Sequence, residues 1–150
     1  MDKKIDIRQL NLEDLKLKLT EFGEKPFRAN QIYQWLWQKR ATTFDEMTNL
    51  SLSLRKTVED NFVINAIQLK EAQMSKDKTI KNAFLLSDDA VVEGVLIPTK
   101  KRMTACVSVQ VGCSLDCAFC ATGKLKRVRN LNPDEIYDQV AIISDQSKIE

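Results

Sequence analysis

Met103-Thr-Ala-Cys106-Val-Ser-Val-Gln-Val111-Gly-Cys113-Ser-Leu-Asp-Cys117-Ala-Phe119-Cys120 is the stretch on which the reading of this chain turns. Up to Val111 the residues alternate: Val107, Val109 and Val111 fall on one side, Cys106, Ser108 and Gln110 on the other. That period predicts a strand with one apolar and one chemically equipped face. Three cysteines follow, and beyond them Asn132, Pro133, Asp134 and Glu135 mark a helix start, with a capping side chain, a proline at the first position and acids in the first turn. Ile136, Val140 and Ile143 then recur at helical spacing. A strand running into a loop and then a helix is the opening βα unit of a barrel, a fold whose sites form at the C-terminal ends of the strands.

The spacing Cys113-x-x-x-Cys117-x-x-Cys120 offers three thiolates to one metal centre and leaves a coordination position open. A structural zinc site is normally closed by four Cys or His ligands, usually as two separated pairs, and this chain has no histidine. Only Cys106, in the preceding strand, is left as a fourth ligand. A disulfide framework belongs to an oxidising compartment, yet no stretch reads as a signal peptide. Thiolates also hold iron–sulfur clusters, and three protein ligands to a four-iron cluster leave one iron free for a substrate. The pattern favours the cluster over zinc or structural thiols.

The 150 residues are 43% hydrophobic and 29% charged, enough apolar content for a core and enough charge for a soluble chain. No apolar run approaches the length of a membrane helix, so a cytoplasmic location is expected. Residues 1–99 carry 15 Lys/Arg against 15 Asp/Glu, residues 100–130 carry 7 against 1, and residues 131–150 carry 1 against 5. The positive charge therefore gathers around the cysteines, at Lys100, Lys101, Arg102, Lys124, Lys126, Arg127 and Arg129. On charge alone a solvated loop and a phosphate-contacting rim are equally good readings.

Upstream, Asn11 caps a helix carrying Leu12, Leu15, Leu19 and Phe22, and Gly23 ends it. A second helix follows Pro26 with Ala29, Ile32, Tyr33 and Leu36 on one face. Thr43 with Glu46 is a possible capping box, and Ser51 caps a helix with Leu54, Val58 and Phe62. Trp37 continues the Tyr33 stripe and is expected in the core, whereas Trp35 is open to either packing or base stacking. From Ile64 the period turns extended: Ile67 and Leu69 alternate with polar residues, and Thr79–Leu86 and Ala90–Ile97 are two runs flanking a turn at Asp88-Asp89.

The cysteine triplet, with Phe119 before its last member, resembles the radical S-adenosylmethionine (SAM) signature. Val111-Gly-Cys113 through Ala121-Thr-Gly123, Arg129-Asn130-Leu131 and Glu135-Ile-Tyr-Asp-Gln-Val140 narrow the resemblance to the RlmN/Cfr family of radical SAM adenine methyltransferases. Lys25-Pro-Phe-Arg-Ala-Asn-Gln-Ile-Tyr-Gln-Trp-Leu36 and Val92-Glu93-Gly-Val-Leu-Ile-Pro98 extend it over most of the chain. The implied architecture is α+β to α/β: a small helical, RNA-binding accessory domain over 1–63, a hairpin and strand segment over 64–102, and the incomplete start of a radical SAM barrel over 103–150.

The resemblance also implies roles. Cys113, Cys117 and Cys120 would bind three irons of a [4Fe–4S] cluster whose fourth iron holds SAM, and Phe119 would shield cluster or cofactor, or pack the loop. Reducing the cluster splits SAM to a radical, so an electron donor is implied. Cys106, which in isolation reads as a small buried hydrophobe, matches the family cysteine that helps resolve a covalent RNA adduct. Glu93, which in isolation reads as one charge on an exposed strand face, occupies the position of the family's proton acceptor, with partial burial to tune it. Arg129 and Asn130 would contact phosphate or cofactor, or tie the loop down. Full-length relatives methylate C2, or in the resistance branch C8, of an adenine in 23S ribosomal RNA, and the C2 enzymes also act on transfer RNA. Their methyl-carrying cysteine lies further along than Cys120. The expected product is thus a monomeric, N-terminal part of a C2 methyltransferase, inactive by itself; the rivals are a zinc-holding or metal-free RNA-binding module and a radical SAM enzyme with a non-RNA substrate.

Overall fold

The computed structural model describes residues 4–115, 118 and 124–148. The chain divides into two compact units, Met1–Asn65 and Ala66–Glu150, each with its own core.

The first unit holds three helices, α1 (Leu12–Glu21), α2 (Phe27–Trp37) and α3 (Leu52–Asn61), and a parallel pair of two-residue strands, β1 (Ile5–Asp6) and β2 (Phe62–Val63). The caps are those the sequence predicts. The Asn11 side chain accepts from Asp14 N–H at 2.9 Å and Ser51 Oγ from Leu54 N–H at 3.2 Å. Leu15, Leu19, Ile32, Leu36, Leu54 and Val58 fill the interior, and Trp37 packs at its edge, 6.0 Å from the Tyr33 ring. Trp35 has internal partners: its indole N–H donates to Asn49 at 2.5 Å and Lys39 lies over its ring. Glu46 does reach back to the Thr42 and Thr43 amides at 3.0 and 2.9 Å, but it closes a turn and no helix begins there. Asp6 is buried and ties the ends of the unit together, accepting from Arg8 N–H at 2.9 Å and Asn65 N–H at 2.8 Å.

The second unit is an antiparallel meander of β3 (Gln68–Met74), β4 (Ile80–Leu85), β5 (Val91–Pro98) and β6 (Met103–Cys106), followed by the short antiparallel pair β7 (Gln110–Val111) and β8 (Arg129–Asn130) and by helix α4 (Pro133–Gln146). The expected hairpin is present, and Asp89 at φ +64° makes its turn. One face of the sheet presents Phe84, Val92 and Leu96 to Ile143 of α4. Gly94 lies in the same face because a Cβ there would sit 2.8 Å from the Phe84 ring and 3.1 Å from Ile143.

Two expectations change. The strand predicted from Met103 to Val111 is broken: β6 ends at Cys106, its residues pair with β5 in the same meander, and Val109 is exposed. The alternation was genuine, but the backbone of Ser108 is taken by a side chain of α4 (below), which interrupts the ladder. Conversely β3 runs on to Met74 through residues that are all exposed, as an edge strand paired only to β4.

Candidate functional site

Register places the chemistry on the sheet face turned away from α4. Cys106 stands opposite Val95 at the end of β6, and Glu93 lies two residues before Val95 on β5, so the two share a face as diagonal neighbours. Lys81, also opposite Val95 from β4, forms an ion pair with Glu93 at 2.7 Å. Glu71, Gln73, Asn82 and Ala83 complete a shallow depression around Glu93 and Lys81, which Cys106 does not line. Cys106 is exposed rather than a buried hydrophobe, its thiol available for chemistry. The Glu93 side chain is 53% exposed and paired with the Lys81 ammonium, as one charge on an open strand face.

Beyond β6 the chain passes Ser108 and reaches Cys113 at the end of β7. Gly112, at φ +70°, precedes it, and a Cβ there would fall 2.2 Å from the Lys126 carbonyl oxygen. Only glycine permits this crossing, which brings Cys113 into a parallel bridge with Lys126. The half-buried Cys113 sulfur accepts the Leu115 N–H at 3.3 Å. An amide N–H aimed at the sulfur, with the sulfur-only donor set of the triplet, suits an iron–sulfur cluster. Cys117, Phe119 and Cys120 lie outside the described residues.

Arg129 is held by carboxylates on two sides. Its guanidinium donates twice to Glu135 and once to Asp88, each at 2.8 Å, tying β8 to the start of α4 and to the β4–β5 turn. The hydrogen bonds it donates to Glu135 and then to Asp88 raise its pKa further, and the Arg129 bond in turn holds the Asp88 carboxyl below its usual range. Of the roles open to Arg129, this geometry supports the tie between loop and sheet. Lys100, Lys101, Arg102, Lys124, Lys126 and Arg127 remain exposed.

Gln139, inside the Glu135–Val140 segment, has a role that the residues alone do not assign. Its fully buried amide accepts from Ser108 N–H at 2.9 Å and donates to Ser108 C=O at 3.0 Å. The only local hint is a position four residues before Ile143, on the buried side of α4.

Residues 5–64, almost the whole first unit, match the family model described as the ribosomal RNA large subunit methyltransferase N-terminal domain. The chain is 59% identical over 148 residues to a probable dual-specificity RNA methyltransferase RlmN of Christiangramia forsetii, covering 99% of this chain and 42% of that protein. Residues 5–64 are thus an RlmN-type N-terminal domain, and the chain is similar along nearly its whole length to part of RlmN proteins. A second RlmN relative, from Geobacter sulfurreducens, is 42% identical over 95% of this chain and 40% of its own length. The crystal structure of a radical SAM methyltransferase from Sphaerobacter thermophilus matches with a TM-score of 0.81 at 32% identity, over 97% of this chain and 43% of that one. The chain thus spans about two fifths of the RlmN relatives it matches, their N-terminal part. Among the described residues, no helix is long and apolar enough to cross a membrane.

Proposed function

We propose that this chain supplies the cluster-binding cysteines and two catalytic side chains of a radical SAM methyltransferase that modifies C2 of an adenine in 23S ribosomal RNA and in transfer RNA through a methyl-cysteine intermediate. The observation that supports it is the shared exposed face of Glu93 and Cys106 on strands that lead directly to Cys113. Cys113, Cys117 and Cys120 would hold a [4Fe–4S] cluster, with Phe119 beside SAM. The bound cofactors supply the radical and the methyl group, and the protein supplies position.

On this reading Glu93 takes the proton from the substrate carbon, and Lys81 orients its carboxylate until the base enters. Cys106, one diagonal step away, reaches the same carbon's adduct. The exposed lysines and arginines at 100–102 and 124–127 contact RNA phosphates, so binding weakens with salt. In the full-length enzyme, residues from Gln110 onward open the radical SAM barrel. The enzyme acts as a monomer in the cytoplasm and draws its electron from a reductase-type donor.

Anaerobic reconstitution of the 150-residue chain with iron and sulfide tests the metal. About four irons per chain are expected, and Cys113→Ser abolishes their binding. Stoichiometric zinc with no iron would instead identify a non-enzymatic RNA-binding module.

A further inference from the structure

Ser108 sits where β6 has ended and β7 has not begun, two residues after Cys106 and five before Cys113. A backbone that has left its strand neighbours must still pair its N–H and C=O. Here both bonds come from one side chain, because Gln139 Oε1 accepts from Ser108 N–H at 2.9 Å while Gln139 Nε2 donates to Ser108 C=O at 3.0 Å. The same Nε2 donates to Glu135 C=O at 3.2 Å, which fixes the amide's orientation. A primary amide presents donor and acceptor side by side as a peptide does. A glutamate at 139 loses both donations, and an asparagine falls one methylene short. The Ser108 hydroxyl donates to Glu93 C=O at 2.7 Å. One residue between the two functional cysteines is therefore tied at once to the strand of Glu93 and to α4.

We propose that Gln139 is a positioning residue that stands in for a missing strand at Ser108, holding Cys106 on the Glu93 face while sending the chain on to Cys113. The inference rests on the functional reading above for what Cys106 and Glu93 do, and it adds that α4 governs their alignment. The fold contains its own control. Asn82 and Gln146 also exchange two amide hydrogen bonds between sheet and α4, at 3.0 and 2.6 Å, without touching Ser108.

The test uses a full-length chimera in which this chain replaces the matching part of the Christiangramia forsetii relative, together with hydrogen exchange on the 150-residue chain. Gln139→Met should release amide protection at 107–109 and leave the iron content of the reconstituted protein unchanged. It should also slow the decay of the denaturant-resistant RNA–protein adduct about 10- to 100-fold, the order that misaligned reacting groups cost. Gln146→Met should lower the melting temperature without slowing adduct decay. Ser108→Ala, which removes only the tie to Glu93, should slow it about threefold, a fraction of the misalignment cost. Unchanged decay in Gln139→Met, or equal slowing in Gln146→Met, overturns the inference. If Gln139→Met does not fold, unchanged decay in Ser108→Ala does the same. A wild-type chimera that does not methylate RNA, with no adduct trapped in its Cys106→Ala variant, overturns the functional reading and this inference with it, whereas normal wild-type turnover with an indifferent Gln139→Met overturns this inference alone.

Discussion

The two units bury different kinds of side chain. In the helical unit the interior is Leu, Ile, Val, Met and Phe, and the only buried charges among the described residues are Asp6 and Arg8 beside the terminal strands. In the sheet unit Asn82, Asp134, Glu135 and Gln139 are buried against a smaller apolar cluster. Apolar burial is non-directional and stabilises whatever packs well. Buried amides and carboxylates are costly unless paired, and they hold the partners they pair with in one geometry. The unit that carries Cys106, Glu93 and Cys113 is the one that spends interior volume on such ties.

The largest effect that would sharpen this contrast is expected in the helical unit. Leu54→Ala removes a fully buried side chain and should cost about 2–5 kcal/mol. Hydrogen exchange should then show protection lost over residues 5–64 and kept in β4 and β5; loss in both units together would break the comparison. In the sheet unit, Arg129→Ala leaves the Glu135 carboxylate, whose side chain is 6% exposed, without its bidentate partner. A cost of about 2–3 kcal/mol is expected in urea unfolding, below the figure for a wholly buried pair because Arg129 itself is partly exposed. A change under about 0.5 kcal/mol, the scale of a surface pair, would remove Arg129 from the structural ties.

The smallest effect concerns Glu46. Burial pushes its carboxyl up, but the bonds from Thr42 and Thr43 outweigh that and lower it from the ordinary 4.5. A carboxyl lowered on folding contributes its stability above the unfolded value and loses it as pH falls through the folded one. Solvent screening leaves about 0.5 kcal/mol. Glu46→Gln should therefore be slightly less stable than wild type at neutral pH, and the gap should close below about pH 4.5, measured by thermal melts across pH.

What could be read in advance was local. Asn11, Ser51 and Asn132 announce helices because a cap bonds within three residues, and Asp88-Asp89 announces a hairpin because the turn lies between its strands. What could not be read depends on partners far along the chain. The break after Cys106 follows from a glutamine 31 residues beyond Ser108, and the tie from Arg129 to the β4–β5 turn follows from an aspartate 41 residues before it. The exposure of Cys106 and the Lys81–Glu93 pair follow from strand register, which alternation suggests but does not specify.

If Cys106 and Glu93 work at one face while Cys113 serves the cluster, substitutions in the full-length chimera separate the two roles. Cys113→Ser should lose iron and all RNA methylation. Cys106→Ala should keep its iron but accumulate a denaturant-resistant RNA–protein adduct in place of 2-methyladenosine, read by nucleoside mass spectrometry. A Cys106→Ala chimera that releases 2-methyladenosine at the wild-type rate, with no adduct, would contradict the account.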